Sequence, residues 1–204
     1  MTLCGAPDWQ IMLWDWDKCR LMSQIALGLT IPQSVPKCSF QVTFNPNDLS
    51  SESILLTGPC NTFKYIKKDG DHNLTTSHTQ INNMDPGKKI SPNFTCHSWS
   101  QETGHILVCT DNGEMIICEN SGDYKAYIMD ANPGRSIEAV ISLSQGFLIA
   151  QGSSLYIYRT SRVDDRAPLK LKGEKCNLMI HGSEARDPKD GFIIESMAIN
   201  SNEN

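Results

Sequence analysis

Short apolar segments, each closed by a turn sequence, recur along this chain and constrain its fold more than any other feature. Ser53–Thr57 is followed by Gly-Pro, His105–Thr110 by Asp-Asn-Gly and Gly146–Ala150 by Gln-Gly-Ser-Ser. A second apolar segment follows each turn. Asn-Gly in this setting is the strongest short-range hairpin signal, because both residues tolerate a positive φ. Helical periodicity is almost absent, so the chain is predicted to be all-β.

A third strand follows the hairpin, as at Tyr124–Met129, and a further strand precedes it, which makes a unit of four strands. These preceding strands are predicted at Cys38–Phe44, Phe94–Trp99 and Ile137–Leu143. Corresponding positions recur about every 40 to 50 residues, a spacing typical of propellers and repeat arrays. They are occupied by Trp14, Tyr65, Cys118 and Tyr158.

The central strands are continuous apolar runs and do not alternate with polar residues. Examples are Ile54–Leu56, Ile106–Val108 and Phe147–Ile149. Such runs suit strands that are covered on both faces. The pattern therefore favours four-stranded sheets stacked face to face, as in the blades of a β-propeller, over a β-sandwich whose sheets each have one solvent-exposed face.

The predicted organisation is a partial propeller of about three to four four-stranded antiparallel blades. Because a ring closes with about four to eight blades, we expect the chain to be a fragment or truncated form of a larger propeller. The predicted bounds are 1–27 for the end of one blade, 36–81, 94–131 and 136–173 for whole blades, and 191–204 for the first strand of a further blade.

Composition excludes several classes of function. The net charge is −5 with scattered basic residues, whereas nucleic-acid binding needs a concentrated basic face. No apolar run approaches the roughly 18 residues of a membrane span, and the first ten residues do not read as a signal peptide. The eight cysteines, with Cys38, Cys109 and Cys118 inside strand-like runs, are therefore predicted to be mainly buried free thiols.

Candidate catalytic and calcium-binding groups all have a better structural interpretation. Asp15 and Asp17 share a face of a strand, but no nucleophile accompanies them. Asp69–Asn73 begins like a calcium loop, yet Leu74 stands where that loop needs glycine and Gln80 where it needs an acidic residue. A hairpin turn is the better interpretation of that segment.

A zinc site is also disfavoured, because the clustered cysteines and histidines lack the close Cys-x-x-Cys spacing. The sequence therefore predicts no catalytic residue, no cofactor, no metal and no enzyme activity. The residues considered as zinc ligands are Cys96, His97, His105, Cys109 and Cys118.

The segment Cys4–Asp15, CGAPDWQIMLWD, resembles the second and third strands of a WD-repeat blade. Asp8 matches the turn aspartate of that family, and Trp14-Asp15 matches its name-giving dipeptide. The resemblance implies that the aspartate bonds a histidine that reaches a strand hydroxyl and the tryptophan. Here Cys4 replaces the usual Ser or Thr, and the partner histidine would lie before Met1.

His97 lies inside a strand of its own, which is the wrong place to substitute for that histidine. The structural signature is therefore predicted to be Asp8, Trp14, Asp15 and Trp99. Trp14 is expected to be buried between strands.

A narrower resemblance links the chain to the cilia- and flagella-associated WD-repeat proteins, in particular to those whose propellers precede a long coiled coil. It rests on the pattern Trp14-x-Trp16-Asp17-Lys18 and on the strand with His97-x-Trp99. The resemblance implies a non-catalytic scaffold of the axoneme, a cytoskeletal structure of the cilium or flagellum, near the inner dynein arms. Implied partners are axonemal, dynein-arm or regulatory-complex subunits and the rest of the chain's own propeller, through unidentified binding residues.

Two other functions remain open at the level of sequence. A generic WD-repeat adaptor in the cytoplasm would bind a peptide or a ubiquitin-ligase partner and would need an arginine-bearing central pocket, for which Arg135, Arg159 and Arg162 are too scattered. A propeller-borne enzyme is the third hypothesis. Expression restricted to ciliated cells would separate the axonemal scaffold from the adaptor, since fold alone does not decide function.

Overall fold

The structure is a computed structural model in which the chain forms only strands, turns and short connections across the described residues. These residues are 1–32, 40–48, 53–70, 73–78, 81, 90–100, 104–119, 124–129, 133–144, 146–161, 170–176, 194 and 197–198. No helix occurs among them. The prediction of an all-β chain is confirmed.

The strands form four antiparallel sheets, numbered here along the chain. Sheet 1 contains β1, β2 and β3, which span Thr2–Cys4, Gln10–Asp15 and Arg20–Ala26. Sheet 2 contains β4, β5, β6 and β7, which span Gln41–Phe44, Ser53–Gly58, Thr62–Asp69 and Asn73–His78. Sheet 3 contains β8, β9, β10 and β11, which span Phe94–Trp99, Ile106–Thr110, Glu114–Cys118 and Tyr124–Met129. Sheet 4 contains β12, β13, β14 and β15, which span Ala139–Leu143, Gly146–Gln151, Ser154–Ser161 and Lys170–Cys176.

Every sheet is a meander in which each strand pairs only with its neighbours in sequence. Because successive strands reverse direction, the turn between the second and third strands lies at the same end as the segment that enters the first strand. We call this the turn end. In sheets 2, 3 and 4 it carries the turns after Gly58, Thr110 and Gln151.

The sheets are stacked in chain order, and an apolar core fills each space between neighbours. Sheets 1 and 2 enclose a cluster that includes Ile11 and Ile54. Sheets 2 and 3 enclose one that includes Leu55 and Val108. A third cluster, between sheets 3 and 4, includes Leu107.

The continuous apolar runs follow directly from this stacking. Successive side chains of a strand point to opposite faces, so Ile54 and Leu56 enter the core shared with sheet 1 while Leu55 enters the core shared with sheet 3. In β9, Leu107 and Val108 divide in the same way between two cores. The prediction that these strands are covered on both faces is confirmed.

The expectation that Trp14 is buried between strands is wrong, since its side chain is 42% exposed. Sheet 1 is the first in the stack, and its core faces sheet 2 through Ile11 and Leu13. Trp14 lies on the opposite face, where its indole Nε1 donates to the hydroxyl of Thr2 at 3.0 Å. No other sheet covers that face within the described part of the chain.

The residue ranges of the four sheets lie close to the ranges predicted for the blades. Sheets 1, 2 and 3 lie inside the predicted ranges, whereas β15 continues to Cys176, beyond the predicted end at 173, because it stays paired with β14. The strand predicted within 191–204 lies outside the described residues except for Ile194, Met197 and Ala198. The blade bounds therefore stay a prediction.

Gly146 begins β13 in a backbone conformation that side chains rarely adopt. Its φ is +146°, and a Cβ built there would lie 1.9 Å from the carbonyl oxygen of Tyr158. Tyr158 belongs to β14, the strand paired with β13. Only glycine fits this close approach of two strands.

We expect Gly146→Ala to destabilise the chain by about 2 kcal/mol or more, because a methyl group there strains the backbone and pushes β14 away. For a chain of this size the melting temperature would fall by about 4 °C or more, measured by circular dichroism. Gly5→Ala is the matched control, since no atom lies within 4 Å of its built Cβ. Equal melting temperatures for both variants would contradict this account.

Candidate functional site

A buried histidine links sheets 2 and 3 through side-chain hydrogen bonds. His97 in β8 contacts the hydroxyl of Thr43 through Nε2 and that of Thr57 through Nδ1, each at 2.7 Å. The indole Nε1 of Trp99 donates to the same Thr43 oxygen at 3.0 Å. The backbone amide of His97 donates to Gln41 Oε1 at 2.6 Å. We call these five residues the His97 network.

The network requires a neutral imidazole. Burial is complete at His97, and desolvation lowers its pKa from the ordinary value of 6.5 to about 3. A neutral ring donates through one nitrogen and accepts through the other, which matches two hydroxyl partners that can each donate or accept. The arrangement is a structural link, because a side chain that is 1% exposed does not reach a ligand.

Sequence reasoning missed the role of His97. The histidine that WD repeats use was expected in a loop, whereas His97 lies in a strand and meets residues 54 and 40 positions earlier. The available signal was a histidine inside an apolar strand, with threonines in the two strands that open the preceding unit.

A second polar cluster, which we call the Glu114 cluster, occupies the turn end of sheet 3. The Glu114 carboxylate is 1% exposed. It accepts hydrogen bonds from the Ser91 amide and the Thr110 hydroxyl, both at 2.8 Å, and from Asn112 Nδ2 at 3.4 Å. A buried carboxylate is tolerated when such donors surround it.

Asp111 extends the Glu114 cluster toward sheet 2. It accepts from the Ser91 hydroxyl and, at 2.9 Å, from Asn93 Nδ2. Asn93 Oδ1 in turn accepts from the amide of Cys60, in the turn of sheet 2, at 3.2 Å. On the other side, the amide of Ile137 donates to the Thr110 carbonyl at 3.2 Å. The cluster therefore joins the turn ends of three successive sheets.

The turn between β2 and β3 presents the most exposed aromatic side chain among the described residues. Trp16 is 88% exposed. The neighbouring Asp15 carboxylate accepts from the Lys18 amide at 3.2 Å and lies 3.2 Å from the Lys18 ammonium and 3.7 Å from Arg20 Nε. Desolvation acts to raise the pKa of Asp15, but the Lys18 hydrogen bonds and the two positive charges hold it below its ordinary value of 3.8.

The four predicted signature residues do not form one cluster. Trp14 and Asp15 lie in sheet 1, while Trp99 belongs to the His97 network in sheet 3. Asp8 is exposed, and its carboxylate has no hydrogen-bond partner among the described residues. The signature role proposed for these four positions stays a prediction.

The residues considered as metal ligands are divided between different parts of the fold. Cys96 and Cys109 face the core between sheets 3 and 4, whereas Cys118 faces the core between sheets 2 and 3. Asp69 pairs with Asn73 across a hairpin. Among the residues that the structure describes, no group of three or more His, Cys, Asp or Glu could hold a metal ion.

Six cysteines have described side chains and are free thiols, and half of these six are buried. Those in the cores are buried, and the others are partly or fully exposed. The six are Cys4, Cys19, Cys60, Cys96, Cys109 and Cys118. Cys38 lies outside the described residues. No helix in the described part of the chain has the length and apolar character needed to cross a membrane.

Comparison with curated proteins supports the narrower resemblance. The chain is 30% identical over 98 residues to cilia- and flagella-associated protein 57 C of Tetrahymena thermophila. The aligned part covers 43% of this chain and 7% of that protein. The sequence patterns favour the same type, 57, with type 44 of the family as the alternative. No protein-family model matches the chain.

Comparison with solved structures establishes the fold. The β-propeller domain of Cps50 (Swd1) from Myceliophteria thermophila superposes with a TM-score of 0.62 at 10% identity and covers 82% of this chain and 53% of that one. Sqt1 of Saccharomyces cerevisiae gives a TM-score of 0.57 at 13% identity, with 83% and 43% covered. The chain thus spans about half the length of these two solved structures. The described part of the chain therefore has a β-propeller fold with stacked antiparallel sheets, as predicted.

The His97 network generates a prediction about acid stability. The pKa of His97 is lower in the folded chain, about 3, than in the unfolded chain, near 6.5, so the unfolded state binds the extra proton. The contribution of His97 to the free energy of unfolding should therefore be fully present above pH 6.5 and fall as the pH drops toward 3, by at most about 1.4 kcal/mol per unit.

His97→Gln should lower stability at neutral pH by about 1 to 3 kcal/mol, because it disturbs buried hydrogen bonds, and should remove this part of the acid dependence. Urea unfolding of both chains at a series of pH values measures the two slopes. Parallel slopes would contradict the assignment of the titration to His97.

Proposed function

We propose that the chain is a non-catalytic protein-interaction module of the ciliary or flagellar axoneme, near the inner dynein arms and their regulatory complexes. The observation that carries this proposal is the 30% identity over 98 residues to a protein named as cilia- and flagella-associated. The β-propeller fold supports the general role, since stacked sheets hold exposed turns on a rigid scaffold.

The proposal that the module is non-catalytic is supported by the state of its buried titratable groups. His97 and Glu114 are each 1% exposed. His97 is held between two hydroxyls, and Glu114 by donors from three residues. A general acid or base must reach its substrate within hydrogen-bond distance, which neither group can do without opening the fold.

Trp16 is the side chain that we propose as a partner contact. Tryptophan is enriched among the residues that dominate binding energy at protein interfaces, and Trp16 is 88% exposed. Asp15 fixes the turn through the Lys18 amide and two cationic side chains. A turn held in one conformation loses less entropy when a partner binds it.

The test is retention on isolated axonemes. The tagged chain, expressed in ciliated cells, should remain with the axonemes after detergent removes the membrane, and Trp16→Ala should lower the retained fraction several-fold. Phe44→Ala is the matched control, because Phe44 is also an exposed aromatic residue, at 42%, and lies on a different sheet. Its retention should equal that of the unmodified chain.

Two results would count against the proposal. A folded chain that stays diffuse in the cell body and washes out with detergent would reject the axonemal role and favour the general adaptor. Equal loss with Trp16→Ala and Phe44→Ala would reject Trp16 as the contact.

A further inference from the structure

An exposed arginine lies over a buried glycine at the boundary between sheets 3 and 4. Arg135, in the segment that enters sheet 4, is exposed, whereas Gly152, in the turn after β13, is buried. A Cβ built at Gly152 would overlap the Arg135 guanidinium, at 2.7 Å from Cζ and 3.0 Å from Nε. The guanidinium therefore occupies the space in which a side chain at position 152 would begin.

Hydrogen bonds from both sheets fix the backbone around Arg135. The Gly134 amide donates to the carbonyl of Asn112, in the turn of sheet 3, at 2.9 Å. The Arg135 carbonyl accepts from Gln151 Nε2, at the end of β13, at 2.8 Å. The backbone on either side of the arginine is thus held before any partner binds. A contact that is already positioned loses less conformational entropy on binding.

The carboxylates around Arg135 are bound to other donors of the chain. Glu138 Oε2 accepts from the Gly152 amide at 2.8 Å. Asp111 and Glu114 accept from the donors of the Glu114 cluster. Both ion pairs formed within the described part of the chain involve Asp15, in sheet 1. The positive charge of Arg135 is therefore not balanced by a carboxylate among the described residues.

A carboxylate of a protein partner fits this site in geometry and in charge. The guanidinium presents a planar fork of N–H donors that can bond a carboxylate through two parallel hydrogen bonds. Within the described turns and entering segments at the turn ends of sheets 3 and 4, Arg135 is the sole cationic side chain. One positive charge balances one carboxylate, whereas a phosphate group carries a charge of about −1.5 to −2 and would stay partly unbalanced.

We propose that Arg135 is a docking contact for an acidic segment of a partner protein, and that its guanidinium binds an Asp or Glu carboxylate of that segment through two hydrogen bonds. Gly152 is the positioning residue, because it leaves the space that the guanidinium occupies. Arginine is among the residues that most often dominate binding energy at interfaces. Trp16 lies in the turn between β2 and β3 of sheet 1, so Arg135 adds a second interaction surface. The inference goes beyond the proposed function and does not depend on the axonemal location.

The first test is a titration of the isotope-labelled 204-residue chain with a hexaglutamate peptide, followed by NMR of the arginine Nε–H signals. The Arg135 signal should shift and saturate. The signal of Arg159, an exposed arginine on β14, should shift much less. Hexaglutamine should move neither signal. Equal shifts at both arginines, or an equal response to hexaglutamine, would overturn the proposal.

The second test compares matched variants in the same titration. Arg135→Gln should abolish saturable binding of hexaglutamate, whereas Arg159→Gln removes the same charge elsewhere on sheet 4 and should retain it. Gly152→Ala should weaken binding several-fold, because the methyl group displaces the guanidinium. Gly70→Ala is its control, since Gly70 also has a positive φ, +52° against +61°, but no atom within 4 Å of its built Cβ. Equal affinities for the two alanine variants would overturn the positioning role of Gly152.

Circular dichroism checks that each variant is folded. If Gly152→Ala unfolds, Arg135→Lys replaces it, because lysine keeps the charge but lacks the planar fork. It should also bind hexaglutamate several-fold more weakly, and unchanged binding would overturn the two-bond geometry.

Inorganic phosphate in the same titration tests the chemistry of the occupant. A shift of the Arg135 signal at lower concentrations of phosphate than of hexaglutamate would overturn the assignment to an acidic protein segment. These measurements use purified chain and synthetic peptides, so they are independent of retention on axonemes. Loss of retention with intact peptide binding would reject the axonemal role alone.

Discussion

Burial of both faces of the central strands is the constraint on which the rest of this structure depends. Leu55, Leu107 and Ile116 are 0% exposed only because a sheet lies on each side of them. A four-stranded sheet of this composition has no polar face suited to contact with solvent. Its stability therefore comes largely from packing against the two adjacent sheets. The stack is therefore the cooperative unit, and the single sheet is not.

Polar groups fix the relative position of the sheets that the apolar cores hold together. Apolar packing is non-directional, whereas the His97 network sets one sheet against the next through bonds of defined geometry. The Glu114 cluster does the same at the turn end, and the Ser142 amide adds a bond to the Ser98 hydroxyl at 3.0 Å between sheets 3 and 4. Buried polar groups of this kind specify an arrangement when every member is satisfied.

The sequence predicted correctly the features that depend on neighbouring residues in the chain. It did not predict those that depend on contacts with residues far away in sequence. The continuous apolar runs at Ile54–Leu56 and Ile106–Val108 indicate strands that are covered on both faces. The turn sequences indicate where one strand ends and the next begins. The exposure of Trp14 could not be predicted, because alternation gives the face of a side chain but not what lies against it. His97 was missed since its partners are 54 and 40 residues away, and the role of Asp8 stays a prediction.

The meander order of every sheet has a consequence for how the chain folds during synthesis. Each strand pairs only with strands next to it in sequence, so a sheet can assemble as soon as its fourth strand leaves the ribosome. Sheet 2 is complete at His78, but one of its faces stays bare until the strands of sheet 3 emerge. Folding in the order of translation thus leaves a single apolar surface at the growing end, and that surface is where chaperones would bind a nascent chain of this type.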